Sequence, residues 1–324
     1  MNELSPLTPS SRIFVAGHRG LAGSAIVRQL GKSGYLNLIL ATRDELDLRD
    51  QAAVSRFFAR HLPEFVFLSA AKAGGILANS AHPAEFLYDN LAIQTNIIHA
   101  AWQNGAQKLV FLGSSAIYPQ LAPQPMKEEY LLTGPLEPTS EAYAIAKIAG
   151  LKLADAYREQ YGFQSISLMP SNLYGPGDNF DLETSQVLPA LIRRFHEAKV
   201  WRSPSVTLWG TGTPRREFLH ADDLATAACF VMENYGGGKP LGNWLNVGTG
   251  ADLPIAELAE LVARIVDYKG QIRFDPSRPD GTPRKLLDVS RIHSLGWRAR
   301  ISLEDGIAST YDWYCANAAQ SVAG

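Results

Sequence analysis

The chain has 324 residues, of which 46% are hydrophobic and 19% charged, a composition typical of a globular protein and unlike that of disordered or repetitive chains. A net charge of −2 argues against nucleic acid as the main partner, because phosphate-binding surfaces usually make a domain basic. No apolar run reaches membrane-spanning length, so no membrane partner is expected.

The cysteine content and the N-terminus bear on the compartment. Cys229 and Cys315 are too few for a disulfide framework or a metal site, which favours a reducing compartment. Residues 1–11 lack the charged and apolar regions of a signal peptide, so we expect a flexible tail there. The sequence thus predicts a cytoplasmic protein without a bound metal.

A glycine-rich turn follows the first apolar run. The run RIFVA at 12–16 leads into Gly17, Gly20 and Gly23 and then into an amphipathic segment, a strand–turn–helix pattern. Glycines let the backbone approach a pyrophosphate, and the helix N-terminus offers free N–H groups to it. Such turns are common by themselves, but in this context the turn predicts a dinucleotide site.

The residues that end the second predicted strand bear on which dinucleotide binds. An NAD-selective fold usually places Asp or Glu there, whereas this chain has Ala41, Thr42 and Arg43. Arg43 and Arg19 offer guanidinium groups suited to a 2′-phosphate. Each arginine alone is equally well explained as a solvated surface residue, but the two together favour NADPH.

A third buried run, FVFLSA at 65–70, ends in small residues before Lys72, which leaves room for a nicotinamide ribose. The next segment has apolar residues at helical spacing and predicts a helix over Ala84–Asn104.

The stretch from Leu109 to Lys147 carries the chemistry. An apolar strand ends at Gly113 and two serines, and Tyr143 and Lys147 lie four residues apart in a helical pattern, predicted over Ser140–Tyr161. A tyrosine beside a lysine suits proton transfer to a carbonyl, since the ammonium is expected to lower the phenol pKa. Tyr-x-x-x-Lys often occurs by chance, but a serine-rich strand end and an upstream glycine turn indicate a ketone-reduction site.

Alternating strands and helices, without internal repeats, predict an α/β fold with a doubly wound parallel Rossmann sheet. We expect the dinucleotide-binding domain over 12–175, with returning segments near 217–250. Residues 176–324 are then expected to form mainly a smaller C-terminal α/β substrate domain.

After Gly175 proline, glycine and arginine become frequent on separate loops. Basic groups gathered this way in a near-neutral chain suggest a local pocket for an anion such as a diphosphate, although scattered surface charge explains any one of them. Trp209, beside these loops, is suited to stack on a base or sugar but equally to lie in a core.

The motifs resemble those of the GDP-L-fucose synthase group of the extended short-chain dehydrogenase/reductase family over nearly the whole chain. The passages that carry the resemblance include AGHRGLAGSAI, GSSAIYP, EPTSEAYAIAKIAG, MPSNLYGPGDNF, WGTGTPRREFLH and PDGTPRKLLD. The resemblance implies an NADP-dependent oxidoreductase acting on a GDP-linked 4-keto-6-deoxy sugar.

The resemblance also implies roles for individual residues. It assigns catalysis to Ser114, Tyr143 and Lys147. It assigns cofactor binding to Gly17, Arg19, Gly20, Leu21, Ala22, Gly23, Arg43, Asp47, Leu48, Ala70, Ala71, Lys72, Leu112, Gly113, Tyr143, Lys147, Pro170, Asn172, Leu173 and Gln186. It assigns substrate binding to Ser115, Asn172, Val187, Arg194, Trp209, Arg216, Asp280 and Lys285.

Two positions depart from the family's pattern. The family has a cysteine where this chain has Ala116, and a histidine where it has Gln186; there the two residues are the base and acid of an epimerisation at C3 and C5. Alanine and glutamine cannot transfer protons near neutral pH. The sequence therefore predicts a C4-keto reductase that lacks epimerase activity.

Three alternatives stay open. A bifunctional epimerase/reductase would use His220 or a water in place of the missing pair. A nucleotide-sugar 4-epimerase of the UDP-hexose kind would hold NAD tightly, against which the two arginines argue. A non-catalytic NADP-sensing protein would not need the intact Ser114, Tyr143 and Lys147 set. The resemblance further implies a homodimer formed through the two long helices.

Overall fold

A six-stranded parallel sheet is the central element of the computed structural model, which describes residues 7–238, 240–278 and 280–321. Its strand order is β10-β5-β4-β3-β1-β2. The strands described are β1 (Ile13–Ala16), β2 (Leu38–Ile39), β3 (Phe65–Leu68), β4 (Lys108–Leu112), β5 (Gln164–Pro170), β6 (Asn172–Tyr174), β7 (Ser205–Trp209), β8 (Arg215–Arg216), β9 (Phe218–His220), β10 (Trp244–Val247), β11 (Leu253–Pro254), β12 (Gln271–Asp275) and β13 (Arg284–Lys285).

The helices pack on this sheet and on each other in pairs. The helices described are α1 (Leu21–Lys32), α2 (Gln51–His61), α3 (Ile76–Ala81), α4 (Pro83–Gln103), α5 (Glu141–Tyr161), α6 (Val187–Val200), α7 (Ala221–Asn234), α8 (Ile255–Val266), α9 (Ser290–Ser294) and α10 (Leu303–Ser321). Helix α1 packs against α7, and α4 packs against α5. The predicted doubly wound α/β sheet is confirmed.

The position of the dinucleotide turn follows from the strand order. The chain moves from β1 to β2 on one side and then returns past β1 to β3 on the other, so the winding reverses between β1 and β3. Ligands of open α/β sheets bind outside the carboxyl ends of the strands at such a reversal. Gly17 and Ser69, which follow β1 and β3, therefore border the expected binding crevice.

The apolar runs of the sequence explain why these strands are central. All residues of β1, β3 and β4 are buried, as expected of parallel strands covered on both faces. Strand β2 is shorter than predicted: it ends at Ile39, and Leu40 is 40% exposed. Ala41, Thr42 and Arg43 therefore lie in the loop after the strand.

A second apolar core lies beside the first. It is built around α6, α8 and strand β7, with Phe195, Leu258 and Val262 fully buried at its centre. The first core includes apolar residues of α7, β10 and α9. The chain thus returns to the sheet after residue 216. The predicted division of the chain into a dinucleotide-binding domain over 12–175 and a substrate domain over 176–324 stays a prediction.

Residues 1–6 of the predicted N-terminal tail lie outside the described residues. Beyond them, Leu7 packs against the first core and Ser11 is buried, where its hydroxyl accepts a hydrogen bond from the Thr8 amide. The part of the predicted tail that the structure describes therefore packs on the sheet. Among the described helices, none is both long and apolar enough to cross a membrane.

Candidate active site

Three side chains meet where β4 ends and α5 passes over it. Ser114 follows β4 and its hydroxyl hydrogen-bonds to Tyr143. The Lys147 side chain is nearly fully buried, and its Nζ donates to the Leu112 carbonyl at 2.8 Å. The same Nζ lies 5.8 Å from the centroid of the Tyr143 ring. The structure thus brings the three predicted catalytic residues together.

The protonation of this cluster differs from the expectation. Burial raises the pKa of Tyr143 to about 12, and the hydrogen bond with Ser114 only partly opposes it. Burial lowers the pKa of Lys147 to about 7. The expected lowering of the tyrosine pKa by the ammonium is wrong for this structure, because loss of solvent dominates both groups. Tyr143 is therefore protonated at neutral pH, as a proton donor must be.

A glycine allows α5 to approach the sheet closely. A Cβ at Gly150 would lie 2.5 Å from Gln94 Oε1 and 2.7 Å from Phe111 Cζ. The Gln94 amide in turn donates to the Ala146 carbonyl, one residue before Lys147. The packing of α4 and β4 against α5 therefore fixes the distance between Lys147 and the end of β4.

A cavity of about 550 Å³ opens at the reversal between β1 and β3. Of the predicted cofactor residues, it is lined by Gly17, Arg19, Gly20, Arg43, Asp47, Leu48, Ala70, Ala71 and Lys72. The predicted cofactor set did not include the other lining residues, namely His18, Ala41, Thr42, Asp44, Leu46, Arg49, Ser69, Glu85, Asp89 and Ile93. Those of the glycine turn and strand ends could have been found from their positions, whereas those of α4 required the tertiary fold.

The cavity has features that a dinucleotide requires. Gly17 has a φ of +83°, and a Cβ there would lie 2.7 Å from the Ala70 backbone, so only glycine fits. Gly20 caps α1 without a side-chain hydrogen bond, and the first turn of α1 has no acidic residue. The N–H groups of this turn are therefore available to a pyrophosphate. His18 Nδ1 is buried there without a partner among the described residues.

The charges along the cavity wall fall into two groups. Arg49 pairs with Asp47 and Asp89, and its hydrogen bonds lower the pKa of Asp47 to about 2. Within the described part of the chain, the guanidinium groups of Arg19 and Arg43 have no hydrogen-bond or ion-pair partner. The two unpaired cations lie on the wall where a 2′-phosphate was predicted.

The remaining predicted cofactor residues lie around this cavity rather than along it. Leu21, Ala22 and Gly23 form the first turn of α1, while Leu112 ends β4 and precedes Gly113. Pro170 ends β5, and Asn172 and Leu173 lie on β6. The Asn172 amide donates to the Glu217 carbonyl at 2.8 Å, which joins β6 to the loop before β9.

The two positions that depart from the family pattern lie in different surroundings. The Ala116 amide donates to the Ser114 hydroxyl, so its backbone supports the catalytic serine. Gln186 precedes α6, and its Nε2 donates to the Gly74 carbonyl at 2.9 Å. Glutamine therefore joins the loop after β3 to the start of α6, which begins at Val187.

Two predicted substrate cations lie side by side. Lys285 pairs with Arg216 in the register of the parallel strands β13 and β8. Burial lowers the pKa of both side chains, and the charge of Arg216 lowers that of Lys285 further. Two partly buried cations on neighbouring strands favour a bound anion.

The other predicted substrate residues are more exposed. Trp209 is 52% exposed, and the Arg278 guanidinium lies 5.0 Å from its ring centroid. The Asp280 carboxylate accepts hydrogen bonds from the amide and hydroxyl of Thr211, so it holds the loop after Trp209. Arg194 lies on α6, and Ser115 begins the short helical turn after β4.

His220, the predicted substitute acid–base residue, is buried at the start of α7. Its Nδ1 accepts a hydrogen bond from the Asp222 amide, and burial lowers its pKa. Its Nε2 has no partner within the described ranges, nor has Asp178 Oδ2. Burial raises the pKa of Asp178 to about 7.

Known proteins resemble this chain over its whole length. GDP-L-fucose synthase of Escherichia coli (strain K12) is 57% identical over 311 residues, covering 94% of this chain and 97% of that protein. A GDP-mannoheptose C4 reductase from Campylobacter jejuni with NADP bound has a TM-score of 0.89 at 44% identity, covering 95% and 99% of the two chains. A GDP-6-OMe-4-keto-L-xylo-heptose reductase of C. jejuni has a TM-score of 0.92 at 42% identity, covering 97% and 100%.

The model of the NAD dependent epimerase/dehydratase family matches residues 13–248, which include the glycine turn, the Tyr143 helix and β10. The predicted enzyme class and NADP-type cofactor are confirmed with this match and the relatives above. The chain belongs to the NAD dependent epimerase/dehydratase family and, within it, to the GDP-L-fucose synthase group that its motifs predicted.

Proposed function

We propose that the protein is an NADPH-dependent C4-keto reductase of a GDP-linked 4-keto-6-deoxy sugar, hexose or heptose. The observation that carries the proposal is the contrast within one site. Ser114, Tyr143 and Lys147 are all present and lie together, with Ser114 bonded to Tyr143 and Lys147 bonded to the Leu112 carbonyl, whereas the positions of the family's epimerisation pair hold Ala116 and Gln186.

NADPH, when bound, supplies the hydride for the reduction. Gly17, Gly20 and the first turn of α1 would hold its pyrophosphate, because they combine a close backbone approach with free N–H groups. Arg19 and Arg43 would hold the 2′-phosphate through charge-assisted hydrogen bonds.

The chain's own residues deliver the proton. Tyr143, protonated at neutral pH, donates it to the C4 oxygen of the sugar as the carbonyl becomes an alcohol. Ser114 orients that oxygen by hydrogen bonding, from a position already bonded to the tyrosine. Lys147 lies under the tyrosine ring, and in its protonated form it stabilises the phenolate that remains.

The substrate's diphosphate would lie against Arg216 and Lys285. Both are partly buried cations on paired strands, and neither has a carboxylate within ion-pair distance among the described residues. The sugar nucleotide would thus bind between the six-stranded sheet and the second apolar core. The sheet belongs mainly to residues 12–175, and the second core is built mainly from residues 176–324.

Epimerisation needs a base and an acid at the carbons beside the ketone. Ala116 has no titratable group, and the Gln186 amide is bonded to the Gly74 carbonyl. Losing a general acid or base costs about 10²–10⁴ in rate. Two structural neighbours whose names describe C4 or 4-keto-heptose reductases, at 42–44% identity, support the same reaction.

Turnover in D₂O tests the proposal. A GDP-4-keto-6-deoxy sugar incubated with the enzyme and NADPH should yield a C4 alcohol, with NADPH consumed in equal amount and no deuterium at C3 or C5. A GDP-L-fucose synthase with the family's cysteine and histidine is the positive control for exchange. Deuterium at either carbon during turnover would refute a reductase without epimerase activity.

A bifunctional epimerase/reductase is the second candidate, favoured by the 57% identity to GDP-L-fucose synthase and by two buried atoms without partners, His220 Nε2 and Asp178 Oδ2. If the wild type exchanges deuterium, the variants H220N and D178N identify the residue responsible. Loss of exchange with reduction preserved in either variant would establish this second candidate.

We further propose a cytoplasmic homodimer. Aromatic residues on the outer side of α4 and α5 support a second copy as partner: Tyr88 is 69% exposed, and Trp102 stacks on Tyr161, itself 49% exposed. Sedimentation equilibrium should give twice the chain mass. The free thiols of Cys229 and Cys315 fit a reducing compartment.

A further inference from the structure

We propose that Glu137 is a positioning residue that couples the diphosphate subsite to the helix carrying Tyr143. The inference rests on the function proposed above, because it takes Arg216 and Lys285 as the diphosphate subsite. It concerns a carboxylate that contacts neither the reacting carbonyl nor the cofactor cavity.

Glu137 joins three separate segments of the chain. Its Oε2 accepts hydrogen bonds from the Gln120 amide at 2.9 Å and from the Thr282 hydroxyl at 2.8 Å. Its Oε1 accepts from the hydroxyl of Thr139 at 3.2 Å. Thr282 is buried and lies three residues before Lys285, so the carboxylate connects strand β13 to the segment before α5.

The same carboxylate interacts through its charge with two partly buried cations, Arg216 and Lys285, without a direct ion pair. Burial alone would raise the Glu137 pKa, but hydrogen bonds from Thr282 and Thr139 and the charge of Lys285 lower it. The charge of Glu137 in turn opposes the lowering of the pKa of Arg216 and Lys285. Glu137 is therefore ionised and attracted to the site where we place the diphosphate.

Glu137 also begins the segment that carries Tyr143. It caps the short helical turn Pro138–Ser140, which runs directly into α5 at Glu141. The capping bond from the Thr139 amide to Oε1 is long, at 3.5 Å, whereas N–H···O bonds usually measure 2.7–3.2 Å. The carboxylate is thus shared between Thr282, three residues before Lys285, and the helix cap at Thr139.

A bound diphosphate changes this balance, because its charge competes with Glu137 for Arg216 and Lys285. The carboxylate then settles on the Thr139 cap and tightens the start of α5, six residues before Tyr143. A ligand shifts an equilibrium only by its differential interaction with the two states, and here that difference is the charge of Glu137. Binding of the correct anionic substrate would thereby fix the position of the proton donor.

Amide hydrogen exchange with GDP as the probe tests this coupling without catalysis. In the full-length wild type, GDP at a concentration that saturates binding by calorimetry should slow exchange of the amides of residues 139–143 by at least about fivefold. E137Q lacks the charge but can keep the contacts: its amide oxygen accepts from Thr139, and its NH2 group can donate to the Thr282 hydroxyl and to the Gln120 amide turned to present its oxygen. Its exchange without GDP should stay within about twofold of wild type, and the slowing on GDP addition should disappear.

The control is E141Q, which removes an exposed carboxylate two residues before Tyr143 and should keep the GDP-dependent slowing. In turnover with the 4-keto sugar, E137Q should lower kcat with a smaller change in KM, because binding contacts remain. If Glu137 had only a structural role, E137Q would change amide exchange in the absence of GDP as well as the response to GDP.

Two outcomes would overturn the coupling alone: GDP binding without slower exchange in wild type, or an E137Q response equal to wild type. Failure of GDP to bind the wild type would refute the proposed substrate class and this inference with it. Deuterium exchange at C3 or C5 of the sugar would refute the reductase proposal but leave the coupling intact. The failures are therefore distinguishable.

Discussion

Two parts of the candidate site differ in what their side chains can do. At the end of β4, Ser114, Tyr143 and Lys147 are held by hydrogen bonds and burial in an arrangement for proton delivery. At Ala116 and Gln186, the side chains are a methyl group and an amide engaged with the Gly74 carbonyl. The first region has a titratable phenol, that of Tyr143, whereas the side chains of the second region cannot transfer a proton.

Under the proposed function, the difference teaches how one scaffold would lose one reaction and keep another. Reduction depends on groups fixed by the sheet and α5, which also build the core, so their geometry follows from the fold. The epimerisation that the resemblance implies depends on two side chains outside the sheet and the long helices, one in the turn Ser115–Ile117 and one at the cap of α6. Their replacement leaves backbone contacts intact: the Ala116 amide bonds Ser114. A substitution at such positions changes the chemistry without disturbing the packing.

Removal of the proton donor should have the largest effect. Y143F keeps the ring but loses the phenol, so kcat for C4 reduction should fall by about 10²–10⁴. NADPH affinity, measured by fluorescence titration, should change little. A variant that retains more than a tenth of wild-type kcat would show that another group donates the proton.

Restoring the family's cysteine and histidine at positions 116 and 186 should restore proton exchange at the carbons beside the ketone. In A116C/Q186H, deuterium incorporation at C3 or C5 should rise from background by about 10²-fold, the lower end expected of a general acid or base. Each single variant is the control and should exchange less than the double variant. If the double variant folds and still reduces the C4 ketone but exchanges deuterium only at the background rate, positions 116 and 186 do not reach the sugar carbons.

The two unpaired arginines on the wall of the cofactor cavity give a prediction that concerns reduction alone. R19A/R43A should weaken NADPH binding by about 10–100-fold, since hydrogen bonds contribute about 0.5–1.5 kcal/mol each, about 1–3 kcal/mol for two exposed arginines, while NADH binding stays within about threefold. The exposed Arg56 on α2 gives the control R56A. Equal losses for NADPH and NADH would assign the two arginines elsewhere than the 2′-phosphate.

Much of the fold and part of the site could be predicted because the signals are local. The runs at 65–68 and 109–112 are apolar without a break and form the buried strands β3 and β4. The helix predicted over Ser140–Tyr161 is observed over Glu141–Tyr161. Residues of the glycine turn and strand ends line one cavity because carboxyl ends of parallel strands meet at one edge.

What could not be predicted depends on contacts between distant segments. The second strand ends at Ile39 and Leu40 after it is 40% exposed, and the apolar character of Leu40 alone gave no sign of this. The Tyr143 pKa rises because burial outweighs the neighbouring lysine, a balance that spacing does not reveal. The bonds from Gln186 to Gly74 and from Thr282 to Glu137 join residues 112 and 145 positions apart.

The pH dependence follows from the buried lysine. Its pKa is about 7, below the ordinary value of 10.5, so the cation is present below pH 7 and is lost above it. If the ammonium stabilises the Tyr143 phenolate, kcat/KM for reduction should fall up to tenfold per pH unit above about 7. K147R, which stays charged, should give a flatter profile. A wild-type profile that is level to pH 9 would contradict the assigned role.

The smallest effect concerns the packing that holds the reductase side in place. In G150A, the new methyl group would lie 2.5 Å from Gln94 Oε1 and 2.7 Å from Phe111 Cζ, so α5 must shift. Overpacking of this kind costs about 1–3 kcal/mol, and thermal unfolding should show a lower Tm with a reduced kcat, because Lys147 lies one turn away. G31A is the matched control, since a Cβ at Gly31 in α1 meets nothing within 4 Å, and alanine favours a helix over glycine. If G150A lowered Tm but left kcat unchanged, the packing of α5 would serve stability alone, and the position of the proton donor would be set at its N-terminal end, where Glu137 lies.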